Sequence, residues 1–162
     1  MVENFDDGVE IQKNWISSQK IINKDKKIKF FKTHHLYCKY GENAFTDAVN
    51  TLGVIHIVRD PRDLIHSLKY HWSLSDDDEA MNKLFDEQNA TGIKIEDDKD
   101  YSFPVMISSW KNHYNSWKKI KKNYLLIKYE NLIADPVREF TKVYSYLERV
   151  LKIKISEEKF KK

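Results

Sequence analysis

The chain has 162 residues, the length of one ordinary domain, and its 41% hydrophobic and 13% aromatic residues suffice for a core, which excludes a disordered class. Its 28 basic and 25 acidic residues leave a formal charge of only +3, which gives no strong case for a nucleic-acid partner. A single cysteine, Cys38, cannot form an internal disulfide, and apolar runs of about five residues are too short to span a membrane, so we expect a soluble, cytoplasmic chain with no membrane partner.

The first predicted elements are a helix and two strands. Residues 9–23 carry apolar side chains at roughly helical spacing and predict the helix. The apolar run IKFFKTHH, residues 28–35, predicts a strand that ends near Lys32. VIHIV, residues 54–58, is rich in β-branched residues and predicts the second strand.

A helix start follows the second strand directly. Asp60 suits the N-cap, Pro61 suits the first helical position, and Asp63 lies where a negative charge favours the helix dipole. A further helix is predicted from Ser75, because the acidic residues 76–79 fill a first turn. Their spacing is wrong for a calcium loop.

The second half of the chain repeats this alternation. After a polar stretch that predicts a loop, residues 90–101, apolar residues from Pro104 onward recur at spacings of three and four and predict a helix. YLLIKYE, residues 124–130, predicts a third strand, and Asp135 with Pro136 opens the last helix. Its apolar face is predicted to hold Val137, Phe140, Tyr144, Leu147 and Leu151. This order predicts an α/β fold with a mostly parallel sheet flanked by helices.

The candidate site residues are those at which predicted strands finish, because ligands of open α/β sheets bind beyond the carboxyl ends of the strands. Lys32 and His34 end the first strand, Arg59 follows the second, and Tyr129 lies near the end of the third. A guanidinium beside a helix N-terminus is a good anion site, because Arg59 and free backbone N–H groups can converge on one phosphate. Ser67 offers a further hydroxyl donor.

Four segments, in this order, resemble motifs of the nucleotide-dependent sulfotransferases, which use 3′-phosphoadenosine 5′-phosphosulfate as donor. The segments are KTH at 32–34, RDPRDLIHS at 59–67, SWKNHYNSWKK at 109–119 and LLIKYENLIADP at 125–136. The resemblance covers about residues 28–150. It implies transfer of a sulfuryl group to a hydroxyl or amine of a small-molecule or glycan acceptor, without a metal.

The resemblance also implies a role for each candidate residue. Arg59 and Ser67 would hold the 3′-phosphate of the donor, and Tyr129 would lie near its adenine. His34 would be the base that takes the proton of the acceptor, and Lys32 would lie near the transferring sulfuryl group. A histidine suits the role of base because its ordinary pKa is near neutral.

The sequence departs from the family pattern at both ends. The family opens with a strand and a phosphate loop of the form P-K-S-G-T-T-W and closes with an R-K-G-x-x-G-D-W segment, and neither form occurs in the 162 residues. We therefore expect residues 1–162 to be a single, incomplete sulfotransferase domain of partial P-loop-type, three-layer fold, truncated at both ends and lacking the first phosphate-loop strand. Such a chain should show little turnover and expose an apolar sheet edge.

Several alternatives stay open at this point. One alternative for the base is His35, if the strand end is irregular. Alternative roles for two other residues are an ion pair of Arg59 within its own loop and a place in the core for the Tyr129 ring. For the chain as a whole, one alternative is a non-catalytic remnant or binding module, and a weaker one is a basic surface at residues 111–122 for nucleic acid or anionic lipid. The remaining histidines lack metal-like spacing, so no metal site is predicted. Neither the acceptor nor the oligomeric state is predicted.

Overall fold

The computed structural model describes residues 8–91 and 105–154. Fourteen segments of regular structure follow one another in these ranges: α1 (Gly8–Lys13), α2 (Trp15–Ile22), a 3₁₀ turn (Asn23–Asp25), β1 (Lys39–Tyr40), β2 (Asn43–Ala44), β3 (Val54–Val58), α3 (Pro61–His71), α4 (Asp77–Phe85), β4 (Ala90–Thr91), β5 (Val105–Met106), α5 (Trp110–Trp117), β6 (Tyr124–Lys128), α6 (Tyr129–Ala134) and α7 (Pro136–Leu151). Mixed helices and strands around a parallel pair confirm the predicted α/β class.

The parallel pair is formed by β3 and β6. Their register runs from Val54 opposite Tyr124 to Val58 opposite Lys128, so both strands end at the same edge. Ile127, the fourth residue of β6, is only 2% exposed and lies in the core. The other pairs are short and antiparallel, β1 with β2 and β4 with β5.

The predicted helix starts after both long strands are confirmed. The Asp60 side chain accepts a hydrogen bond from the backbone N–H of Arg62 at 2.9 Å, and α3 begins at Pro61. Asp135 accepts one from the N–H of Arg138 at 3.0 Å, and α7 begins at the following proline. These caps satisfy N–H groups that a helix start leaves without an intrahelical partner.

The predicted strand at residues 28–35 is wrong. This segment has no regular secondary structure, and its apolar side chains point to solvent, with Phe30 71% exposed. A strand needs a neighbour to satisfy its backbone groups, and in the described part of the chain β3 pairs only with β6. A short apolar run carries no information about that neighbour.

Three predicted boundaries also move. The predicted first helix is divided at Asn14 into α1 and α2. The helix predicted from Pro104 onward begins only at Trp110, and Val105 and Met106 pair with β4 as strand β5.

The last long strand ends at Lys128, so Tyr129 begins a helix instead of ending the strand. Of the predicted loop at 90–101, residues 90 and 91 form β4, and the rest lies outside the described residues.

The last helix buries a different face from the one predicted. Val137 is 74% exposed and Phe140 is also exposed, whereas Glu139 and Tyr146 are buried. Glu139 forms an ion pair with Lys142, which offsets the cost of burying its charge. The Tyr146 hydroxyl donates to the Asn123 carbonyl at 2.7 Å, so α7 is tied to the loop before β6 by a polar contact.

Candidate active site

The ends of β3 and β6 bring two predicted site residues together. The Arg59 guanidinium carbon lies 4.9 Å from the centroid of the Tyr129 ring. This follows from the parallel register, because each residue directly follows the last residue of its strand. A cation over an aromatic ring at an exposed site contributes about 0.5–1 kcal/mol, so the ring helps to fix the guanidinium.

The carboxylates of Asp60 and Glu130, near Arg59, form ion pairs or hydrogen bonds with other groups. Asp60 forms an ion pair with Arg62 at 2.6 Å and caps α3, and the Arg62 contacts lower the pKa of Asp60 to about 2. Glu130 accepts a hydrogen bond from the Asp60 N–H at 2.7 Å, which lowers the pKa of Glu130. The ion pair of this loop is therefore made by Arg62, and the Arg59 guanidinium lies on the Tyr129 ring.

Ser67 lies on the exposed side of α3, within its second turn. Six residues of helical rise separate it from Pro61, about 9 Å along the helix axis. The structure therefore places Ser67 on the same helix as the candidate anion site, in the second turn and not beside the first residues of the helix.

Lys32 and His34 lie on the irregular segment, and both are exposed. We call residues 32–35 the K-T-H-H segment. Inside it, the Thr33 hydroxyl accepts a hydrogen bond from the His35 N–H at 3.0 Å. Just after it, the Leu36 N–H donates to the Met106 carbonyl at 2.8 Å. The segment is thus held by individual hydrogen bonds instead of a strand ladder.

The neighbouring His35 is fixed by aromatic contacts and is only 5% exposed. Its ring stacks on Phe45, with centroids 4.3 Å apart, and Trp15 meets it edge-on at 5.1 Å. Its Nδ1–H donates to the Leu36 carbonyl at 2.8 Å, and its buried Nε2 has no partner among the described residues. Burial lowers the pKa of His35 and favours the neutral ring.

Three ring N–H donors on α5 bind backbone carbonyls of the candidate site. The bonds join Trp110 to Arg59 at 3.2 Å, His113 to His34 at 3.2 Å and Trp117 to His35 at 3.0 Å. The sequence predicted only a helix for this stretch and no role in the site for Trp110, His113 or Trp117. The available signal was the recurrence of N–H-bearing rings at helical spacing, since a buried indole N–H needs an acceptor.

A second buried histidine, His56, lies on β3 beside this helix. Its Nδ1 is 2.8 Å from the Tyr124 hydroxyl, and its ring centroid is 5.9 Å from that of His113. Burial, with a smaller contribution from His113, lowers the pKa of His56 to about 4, and burial raises the pKa of Tyr124 to about 12. His56 therefore packs as a neutral ring under the site.

Neither a cluster of metal ligands nor a membrane-spanning helix is found in residues 8–91 and 105–154. No group of three or more His, Cys, Asp or Glu side chains in these ranges is placed to hold a metal ion. None of the helices in them combines the length and apolar character needed to cross a bilayer.

A protein-family model matches almost the whole chain. The model of the sulfotransferase domain family matches residues 7–162. No curated protein matches the sequence significantly. The family match includes the K-T-H-H segment, the Arg59 loop, α5 and the end of β6. The chain belongs to the sulfotransferase domain family.

Proposed function

We propose that the chain takes part in sulfuryl transfer from 3′-phosphoadenosine 5′-phosphosulfate to a hydroxyl or amine of a small-molecule or glycan acceptor. The observation that carries this proposal is the convergence of Arg59, Tyr129 and the start of α3 beyond the ends of two parallel strands. The Arg59 guanidinium suits a phosphate, because charged N–H groups form strong hydrogen bonds to phosphate oxygens. The first N–H groups of α3 already bond to Asp60, so the proposal depends on the guanidinium. In this proposal Arg59 and Ser67 bind the 3′-phosphate, and Tyr129 lies against the adenine.

His34 is the proposed base and Lys32 the proposed cation beside the sulfuryl group. In the transfer step the acceptor oxygen or nitrogen bonds to sulfur as the bond from sulfur to the 5′-phosphate oxygen breaks. The acceptor proton passes to His34, and Lys32 offsets charge on the transferring group. The exposure of His34 supports this choice over His35, whose ring is buried and stacked.

The proposal covers two parts of the reaction, the acceptor base and the binding of the 3′-phosphate. The 162 residues contain no glycine-rich loop of the P-K-S-G-T-T-W form, because their four glycines lie far apart. The grip on the 5′-phosphosulfate is therefore not assigned to any residue of this sequence, which in this proposal supplies a portion of the sulfotransferase domain.

Isothermal titration with adenosine 3′,5′-bisphosphate tests the proposal. We expect binding by the wild type and an affinity at least about tenfold weaker for Arg59→Ala, because a hydrogen bond to a charged group contributes about 1.5–3 kcal/mol. Arg138→Ala, which removes an exposed arginine from the first turn of α7, should bind as the wild type does. Equal affinity of Arg59→Ala and wild type, or no binding by a folded wild type, contradicts the proposal.

A transfer assay separates an enzyme from a binding module of the same fold. The assay follows ³⁵S-labelled 3′-phosphoadenosine 5′-phosphosulfate and a panel of small hydroxyl and amine acceptors. Label transfer that His34→Ala abolishes supports the enzymatic role. Nucleotide binding with no transfer to any acceptor assigns the chain to a non-catalytic module.

A further inference from the structure

Helix α5 lies between the two halves of the candidate site and bonds to both. Its ring donors occupy positions 110, 113 and 117, and spacings of three and four place them on one face of the helix. Over these positions the helix rises about 10 Å. The same helix therefore fixes the Arg59 carbonyl at its first residue and carbonyls of the K-T-H-H segment along its length.

These bonds replace what a strand ladder would supply. Residues 28–35 form no strand, so no regular backbone pairing sets the place of His34. The bond from His113 reaches the carbonyl of His34 itself, and it comes from a distant part of the chain. A fourth contact supports the same arrangement, because the Ser116 hydroxyl accepts from the Tyr37 N–H at 3.0 Å and donates to the His113 carbonyl at 2.7 Å.

The partner of His113 determines its tautomer. A carbonyl only accepts, so Nε2 must carry the hydrogen. The ring is half-buried, and burial lowers the pKa of His113. The titratable groups that face it are His34 and His35 from the K-T-H-H segment and His56 from β3. A neutral His113 donates to the His34 carbonyl without adding positive charge beside a histidine that is to accept a proton.

We propose that His113 is a positioning residue for sulfuryl transfer, whose Nε2–H fixes the peptide of His34 and so sets the place of the base relative to Arg59. This rests on the proposed role of His34. Trp117 holds the next carbonyl but is also a buried core ring, so its loss would disturb much more than the site. His113 is half-buried, and its donor can be removed while a ring is kept.

Two variants of His113 separate the hydrogen bond from the volume of the ring. His113→Phe keeps a planar ring and removes the donor, whereas His113→Gln keeps an amide N–H donor near the position of Nε2. The matched control is His66→Phe, which removes an exposed histidine from α3. Each variant is measured as the full chain, by ¹⁵N relaxation of the backbone, by thermal unfolding and by titration with adenosine 3′,5′-bisphosphate.

We expect the wild type to show the Nε2–H tautomer of His113 in its imidazole ¹⁵N shifts at pH 7. The backbone order parameter at His34 should fall from about 0.85 to below about 0.6 in His113→Phe and be restored in His113→Gln. The His66→Phe control should leave this order parameter unchanged. Nucleotide affinity should stay at the wild-type value in all three variants, because Arg59 is intact.

The positioning role is overturned by an unchanged order parameter at His34 in His113→Phe, or by equal loss of order in the phenylalanine and glutamine variants. A fall in the thermal midpoint of His113→Phe without selective loss of order at His34 also overturns it, since that result marks a merely structural ring. Absence of nucleotide binding by the wild type contradicts the proposed function instead. The NMR result then still decides whether His113 holds the His34 peptide.

Discussion

The two halves of the candidate site are built in different ways. Arg59 and Tyr129 are placed by the backbone, because each follows a strand of one parallel pair whose register runs the full length of both strands. His34 is placed by a side chain of α5, on a segment with no regular structure. One part of the candidate site thus depends on a sheet ladder, and the other depends on a few ring N–H donors from a helix that is distant in the sequence.

The largest expected loss of stability comes from a substitution on α5, the helix that holds the K-T-H-H segment. Trp117→Ala removes a buried ring and the donor to the His35 carbonyl, so we expect it to lower the free energy of unfolding by about 3–5 kcal/mol. Urea unfolding followed by far-UV circular dichroism measures this. Val49→Ala, at a highly exposed side chain, should change the same quantity by less than about 0.5 kcal/mol. A loss below about 1 kcal/mol for Trp117→Ala contradicts the described packing.

The half of the candidate site that follows β3 and β6 is tested by adding one methyl group to Gly53, which directly precedes β3. A Cβ at this position would lie 2.1 Å from the Tyr146 hydroxyl and 3.0 Å from the Asn123 carbonyl, so Gly53→Ala should cost about 1–3 kcal/mol of unfolding free energy. In a Tyr146→Phe background the cost should be smaller, because the nearest atom is gone. A double-mutant cycle by urea unfolding checks this, and equal costs in both backgrounds contradict the close approach.

Acid should weaken the packing between the two halves through His56. Its pKa is lowered to about 4 in the folded chain from an ordinary value of 6.5, so the unfolded chain binds the proton more tightly. The free energy of unfolding is therefore fully present above about pH 6.5 and falls as the pH drops towards 4. We expect a loss of up to about 3 kcal/mol by pH 4, since each pKa unit corresponds to about 1.4 kcal/mol and the His56 ring is buried.

His56→Phe isolates this contribution. Urea unfolding of both proteins between pH 7 and 4 should give a shallower pH dependence for the variant. The remainder comes from His35 and His113, whose pKa values burial lowers, and from carboxylates such as Asp60 and Glu130, whose pKa values hydrogen bonds lower. Identical slopes for the two proteins would show that His56 titrates in the folded chain as it does in the unfolded one.

The smallest expected change in stability comes from residues 28–35, the segment without regular secondary structure. Phe30→Ala removes a ring that is exposed to solvent, so we expect a change of less than about 0.5 kcal/mol in the free energy of unfolding. Ile127→Ala, on the buried strand β6, should cost about 2–5 kcal/mol. Similar losses for the two variants in urea unfolding would mean that residues 28–35 pack as a strand after all.

The sequence predicts the strand half well because its signals are local. The VIHIV run, the Asp60 cap and Pro61 lie within eight residues, and all form as predicted. The position of His34 depends on a donor 79 residues away, which no local pattern contains. The same limit explains the false strand at residues 28–35, since apolar character alone does not supply a pairing partner.

The prediction of the buried face of α7 was wrong for a related reason. Its apolar stripe predicts burial of Phe140, but the buried positions are Glu139 and Tyr146, which make an ion pair and a hydrogen bond. Periodicity measures where apolar residues lie on a helix. It does not measure which polar side chains find partners in the rest of the fold, as Tyr146 does at the Asn123 carbonyl in the loop before β6.

The most direct test of the site is an NMR titration that shows which residues respond to the nucleotide. We predict that adenosine 3′,5′-bisphosphate, added to the ¹⁵N-labelled chain, shifts the backbone resonances of Arg59, Arg62, Ser67 and Tyr129 with one common dissociation constant, and that resonances at the C-terminal end of α7 stay in place. The Arg59→Ala variant should lose these shifts at the same nucleotide concentration. Shifts confined to other parts of the chain, or the same shifts in Arg59→Ala, would contradict a nucleotide site at the ends of β3 and β6.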